Sequence, residues 1–157
     1  MILVVEDRED DVILLRRAFR VAGILNPVMV VRTGEEAASY LAGEGNYRRR
    51  SEFPLPQLIL LDLKLPEMDG FEVLEWVRSQ KEFSGIVVIV LTSSDSMKDI
   101  KQAYDLGANS FIVKDTEFEN TVMLARLLKD YWLQMNRAIE AQRRPKRDRQ
   151  DGPTRSA

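Results

Sequence analysis

The chain has 157 residues, 45% of them hydrophobic, with 23 Lys plus Arg against 25 Asp plus Glu and neither Cys nor His; that is one domain's worth of sequence. Without cysteine there are no disulfides or thiolate metal sites, which fits a reducing compartment, and without histidine there is no Ser-His-Asp triad, His-ligated metal or His phosphoacceptor. The net charge of −2 hides an asymmetry, because residues 141–157 hold six basic residues and two acids, a net of +4, which leaves −6 on residues 1–140.

Short β-branched or Leu-rich runs alternate with helical patterns along the chain. Ile2 to Val5 is the first strand, followed by a helix marked by Val12, Leu15, Ala18, Phe19 and Ala22 and ended by Gly23. Val28 to Val31 is the second strand, with a helix from Glu35 to Leu41 ended near Gly43. The stretch from Gly43 to Pro56, with Arg48, Arg49 and Arg50, reads as a solvated insertion, partner contact being the other option. Leu58 to Leu61 is the third strand, and Phe71, Leu74, Val77 and Arg78 mark its helix. Ile86 to Leu91 is the fourth, and Ile100, Ala103, Tyr104 and Leu106 mark a helix stopped at Gly107. Ser110 to Val113 is the fifth, and the last helix runs from about Glu117 to about Ala141. Five β-α units with apolar, non-alternating strands predict an α/β fold, a doubly wound parallel sheet with helices on both faces.

No apolar run approaches the roughly 20 residues that span a bilayer. Met1 leads straight into Ile2, without the basic flank and cleavage site of a signal peptide, so a cytoplasmic protein is expected. The tail at 141–157, with Pro145, Gly152 and Pro153, is expected to be disordered and solvated. The acidic body disfavours nucleic acid as the main partner.

In open parallel sheets ligands sit beyond the C-terminal ends of the strands. The first strand ends in Glu6 and Asp7, the third in Asp62, the fourth in Thr92 and Ser93, the fifth in Lys114. Three carboxylates converging there repel unless a cation joins them, and oxygen ligands suit a hard divalent ion such as Mg²⁺. One carboxylate can then attack phosphorus, with Lys114 and the Thr92 hydroxyl on the remaining phosphoryl oxygens. Each residue alone has a plainer reading: Asp7 as a helix cap, Lys114 and Thr92 as surface residues. All of them at strand ends together do not.

With these residues the chain resembles the receiver domains of response regulators in two-component signalling. The matching pieces are Ile2-Leu3-Val4-Val5-Glu6-Asp7, Leu60 through Gly70, Val90-Leu91-Thr92-Ser93 and Phe111-Ile112-Val113-Lys114. The resemblance covers about residues 1–135 and implies a five-stranded (βα)5 flavodoxin-like receiver fold with strand order 2-1-3-4-5, the receiver domain being expected over residues 1–140. It implies Asp62 as phosphoacceptor and Mg²⁺ held by Asp7, Asp62, Glu6 through water and the backbone carbonyl of Lys64. It further implies Thr92 and Lys114 on the phosphoryl group and Phe111 as the switch aromatic. Pro66 and Gly70 match the family's turn, Gly70 being read as the residue that lets the backbone reverse. The Glu-Asp pair, the long loop before the third strand and Tyr131-Trp132-Leu133 resemble the small regulators paired with bacterial phytochromes. A histidine kinase, possibly of phytochrome type, is the implied partner, with no effector or DNA-binding domain following and no membrane contact.

Where the family carries Pro after its lysine, in a bond that is commonly cis, this chain has Asp115; a cis bond before a non-proline costs about 2.5–4 kcal/mol, so a trans or strained bond is expected. Lys64, two residues after Asp62, occupies a position that in the family tunes dephosphorylation. On the last helix, Phe118, Val122, Ala125 and Trp132 form one apolar stripe and Leu124, Leu127, Tyr131 and Met135 another. Together they span roughly 200°, against about 100° for a helix on one core. A homodimer through the fourth helix, fifth strand and fifth helix is expected.

The leading reading is a phosphorylated switch with at most self-dephosphorylation activity, not an enzyme in its own right. An aspartyl-phosphate hydrolase would need Asp-x-Asp after the first strand, where Glu6-Asp7-Arg8-Glu9 stands. An FMN carrier would need a phosphate loop rich in Ser, Thr and Gly there, not an acidic one. The remaining alternative is a receiver-like interaction module that works without phosphorylation.

Overall fold

The computed structural model describes residues 1–135. The expected tail at 141–157, the end of the domain at 140 and the last turns of the final helix therefore lie outside the described residues. The strands are β1 (Ile2–Val5), β2 (Val28–Val31), β3 (Leu58–Leu61), β4 (Val87–Thr92) and β5 (Ser110–Val113). The helices are α1 (Glu9–Ala22), α2 (Gly34–Ala42), α3 (Gly70–Ser79), α4 (Met97–Asp105) and α5 (Phe118–Leu127), the last continuing as a π-helical segment over Leu128–Met135. All strand pairs are parallel, in the order β2-β1-β3-β4-β5, as expected. No helix among the described residues is long and apolar enough to cross a membrane.

The alternation of side chains along each strand divides the core in two. Leu3, Val5, Ile59, Leu61, Val88 and Val90 pack with Tyr40, Leu41, Leu74 and Val77 under α2 and α3. Ile2, Val4, Leu58, Leu60 and Ile89 pack with Leu15, Phe19, Val122, Ala125 and Leu128 under α1 and α5. Side chains define the helix starts: Thr33 caps α2, Ser96 caps α4, and Asp69 with Glu72 forms a reciprocal capping box on α3. Gly23, left-handed at φ 71°, closes α1.

Two expectations are corrected here. The insertion from Gly43 to Pro56 is not a solvated loop throughout. Tyr47 and Phe53 pack on buried Tyr40, with ring centroids 5.0 and 6.2 Å away, and the Tyr40 hydroxyl donates to Pro54 O at 2.8 Å. Arg50 donates to Tyr40 O at 2.8 Å and to Leu41 O, satisfying the last carbonyls of α2; only Arg48 and Arg49 of the basic triplet are exposed. Burial and the Glu36 carboxylate it donates to at 2.5 Å push the Tyr47 hydroxyl up to about 12.

The last helix also differs from uniform 100° steps. Leu128, absent from either expected stripe, is 1% exposed. In the π-helical segment that begins there, Trp132 is half-buried against the α1 side of the core, and Tyr131 and Met135 of the second stripe are exposed.

Candidate functional site

The sheet register brings the site together. Val5 lies opposite both Val31 and Leu61, so β1 and β3 end level and their next residues emerge side by side. The ladder extends one residue further, Glu6 N donating to Val31 O at 3.0 Å and Asp62 N to Val5 O at 3.1 Å. Both carboxylates therefore hang from hydrogen-bonded backbone. Glu6 is 5% exposed and Asp62 4%, whereas Asp7 points into solvent. Carboxylate oxygens of Glu6, Asp7 and Asp62 lie within 4.8 Å of one another.

Lys114, at the end of β5, crosses to this cluster, its backbone N held to Thr92 O at 2.7 Å. Its ammonium donates to Glu6 Oε2 at 2.5 Å, Asp62 Oδ2 at 2.7 Å and Asp11 Oδ2 at 2.9 Å. Burial alone would lower the Lys114 pKa, but the hydrogen bonds to Asp62, Glu6 and Asp11 outweigh it and the net shift is upward. For Glu6 the balance goes the other way. Burial raises its pKa more than the bonds from Lys114 and the Arg8 backbone N–H lower it. The Lys114–Asp115 bond is trans, as there is no cis bond among the described residues. Asp115 takes the role of a turn residue, its carboxylate accepting from Glu117 N and Asn120 Nδ2 at the start of α5.

The Thr92 hydroxyl is fully buried and has no hydrogen-bond partner. An orphaned hydroxyl at the end of β4 is a donor in search of an acceptor. Lys64 donates through its backbone N–H to Asp62 Oδ1 at 3.1 Å and through its ammonium to Ser93 Oγ at 3.2 Å, linking the β3 and β4 loops. Phe111 stands apart, half-buried against the α4 side of the core, its N–H donating to the Tyr104 hydroxyl at 3.1 Å.

Gly70 has a different reason from the expected one. The left-handed residue of the turn is Glu67, at φ 61°. Gly70 is required by contact: a Cβ there would stand 2.2 Å from Asp62 O and 2.6 Å from Leu63 Cα.

Sequence reasoning missed Asp11, in the first turn of α1, whose carboxylate accepts from the Lys114 ammonium. It also missed Arg32, which donates to Glu6 O at 3.4 Å and pairs with Glu9.

The donor set, all oxygen and all anionic, fits a hard divalent cation. A buried carboxylate within such a cluster, with a lysine and an unpartnered hydroxyl at neighbouring strand ends of a doubly wound sheet, carries the groups that a receiver type of signalling domain uses.

The comparisons with known proteins agree. The response regulator receiver domain family matches residues 2–126, and the chain belongs to that family. It is 37% identical over 139 residues to the probable methanogenesis regulatory protein FilR2 of Methanothrix harundinacea, covering 88% of this chain and 86% of that one. It is 31% identical over 134 residues to the response regulator Rcp1 of Synechocystis sp., covering 85% and 89%. The crystal structure of the phosphorylated cyanobacterial phytochrome response regulator RcpA superposes with a TM-score of 0.80 at 35% identity, covering 87% of this chain and 96% of that one. Rcp1 itself has been solved in a Mn²⁺-bound form, at TM-score 0.78 and 30% identity, covering 88% and 97%. The chain is thus a response-regulator receiver, homologous to phytochrome response regulators.

Proposed function

We propose that Asp62 accepts a phosphoryl group from the phosphohistidine of a phytochrome-type histidine kinase and that the chain acts as the regulator in that pair. The observation that carries this reading is the buried Asp62 carboxylate bonded to Lys114, with the Thr92 hydroxyl unpartnered at the next strand end. An Asp62 oxygen forms the new O–P bond while the P–N bond to the donor imidazole breaks and its electron pair stays on the imidazole nitrogen. Asp7, Asp62, Glu6 through water and the Lys64 backbone carbonyl would hold Mg²⁺, which supplies charge neutralisation for the phosphoryl oxygens. Lys114 follows the charge from Asp62 to the phosphoryl group, and Thr92 turns its hydroxyl onto a phosphoryl oxygen. Phe111 then moves into the space Thr92 vacates, which biases α4, β5 and α5.

That face carries Tyr104, Val113, Met123, Leu127 and Tyr131, all exposed, which supports a homodimer built on it. Self-dephosphorylation would use the same groups with water as acceptor. The domain boundary at 140, the basic tail at 141–157 and a cytoplasmic setting belong to this reading. A module working without phosphorylation is not favoured, because Glu6, Asp62, Thr92 and Lys114 are all in place.

The test is phosphotransfer from a radiolabelled bacterial phytochrome kinase. Label is expected to move to the wild type within seconds and not to Asp62→Asn. Equal transfer to both would overturn Asp62 as the acceptor, and transfer to neither while another receiver accepts it would overturn the phytochrome assignment.

A further inference from the structure

A lysine ammonium has three N–H donors, and those of Lys114 are all used, on Glu6, Asp62 and Asp11. Two of these partners have a second demand on them. Glu6 and Asp62 belong to the three-carboxylate cluster, and Asp11 does not. A cation in that cluster would draw Glu6 and Asp62 toward itself and away from Lys114. When Asp62 becomes an acyl phosphate, its own carboxylate charge is gone. Of the three partners, Asp11 alone stands outside the cluster that a cation would draw on. It is carried by the first turn of α1, where the helix N-terminus favours an anion, and not by a strand-end loop. Its side chain is 27% exposed, and the Arg8 guanidinium 3.7 Å away touches the same oxygen that Lys114 uses.

We propose that Asp11 is a positioning residue that holds the Lys114 ammonium over Asp62 during phosphoryl transfer, after the other two carboxylates have let go. This rests on the reading of Asp62 as phosphoacceptor. One donor stays on Asp11, and the two released donors point at the incoming phosphoryl oxygens. With acetyl phosphate as donor, an Asp62 oxygen forms the O–P bond, the bond from phosphorus to the acetyl oxygen breaks, and acetate leaves with the electron pair. No proton passes to or from Lys114.

The experiment compares wild type, Asp11→Asn and Asp11→Glu in three measurements. These are the rate of adduct formation at saturating Mg²⁺ and acetyl phosphate, Mg²⁺ affinity by calorimetry, and the Lys114 ammonium resonance in the Mg²⁺-loaded protein. Asp11→Asn keeps the size and one acceptor oxygen and loses the charge. Because charge-assisted hydrogen bonds are about twice as strong as neutral ones, its saturated rate is expected to fall about three- to tenfold, with the ammonium signal broadened by faster exchange. Asp11→Glu is expected to recover most of both, which a residue that merely stabilised the fold would not require. An Asp11→Asn rate within twofold of wild type at saturation, or a sharp Lys114 signal in that variant, overturns the proposal. So does a rate deficit that added Mg²⁺ removes, since that assigns Asp11 to cation attraction. Failure of the wild type to form any adduct overturns the phosphoacceptor reading instead, and the two failures are distinguishable.

Discussion

Replacing Lys114 by Met keeps the aliphatic stem and removes the charge that Glu6, Asp62 and Asp11 share. The Lys114 side chain is 16% exposed and those of Glu6 and Asp62 are 6% and 5%, so water replaces little of what is lost. Removing one partner of a buried pair costs about 3–5 kcal/mol; with Asp11 at the wetter edge the lower end applies, about 3 kcal/mol. At about 3 °C per kcal/mol for a domain of this size, the metal-free melting temperature near neutral pH should drop by about 10 °C. The loss has a defined pH sign. Burial already raises the Glu6 pKa and Lys114 opposes it, so the variant leaves only the Arg8 backbone N–H against a larger upward shift. A carboxylate whose folded pKa exceeds its unfolded value contributes stability that is present below the unfolded pKa and lost as pH rises through the folded one. The deficit against wild type should therefore be largest near about pH 8 and shrink toward about pH 5. Mg²⁺ should then stabilise Lys114→Met more than wild type, because the ion no longer competes with an ammonium. Thermal melts across that range, with chelator and then with Mg²⁺, check all three. A variant within about 2 °C of wild type, less than 1 kcal/mol by the same conversion, would refute the reasoning, as would a deficit that grows toward acid.

Gly70→Ala should cost about 1–3 kcal/mol, since the added carbon meets backbone at Asp62 and Leu63, and it should lower adduct yield even in the folded fraction, as melts and intact mass would show. Arg50→Ala should cost about 2 kcal/mol by uncovering the Tyr40 and Leu41 carbonyls. Limited proteolysis should then cut first between residues 43 and 57. Leu127→Glu, on the exposed face of α5, should abolish the proposed homodimer, read as a fall from dimer to monomer mass by light scattering, without changing adduct formation.

The strand-end residues were legible because each closes a short apolar run, and the direction of a parallel strand leaves little choice of where its next side chain goes. Glu6, Asp62, Thr92 and Lys114 fall together for that reason. Asp11 was not legible, because an acid in the first turn of α1, beside Glu9 and Asp10, reads as an ordinary complement to the helix dipole. What sets it apart is the reach of Lys114 across 103 positions of sequence, which no local pattern encodes. Gly70 was found at the right place for the wrong reason, because spacing alone does not distinguish a left-handed turn from a close backbone approach. The insertion looked polar from its arginines. Its order comes from Tyr47 and Phe53 meeting Tyr40, a contact between residues too scattered to show a period. Uniform 100° steps placed Tyr131 and Met135 on the stripe beyond the core, where they are exposed, but left out Leu128, which is buried.

The most direct test of the central claim is intact mass after incubation with acetyl phosphate, with and without Mg²⁺, on wild type and Asp62→Asn. A single phosphoryl adduct on the wild type that requires Mg²⁺ and is absent from Asp62→Asn is the predicted result. No adduct on the wild type, with rapid hydrolysis ruled out by an absence of beryllofluoride binding, or an adduct that persists in Asp62→Asn, would contradict it.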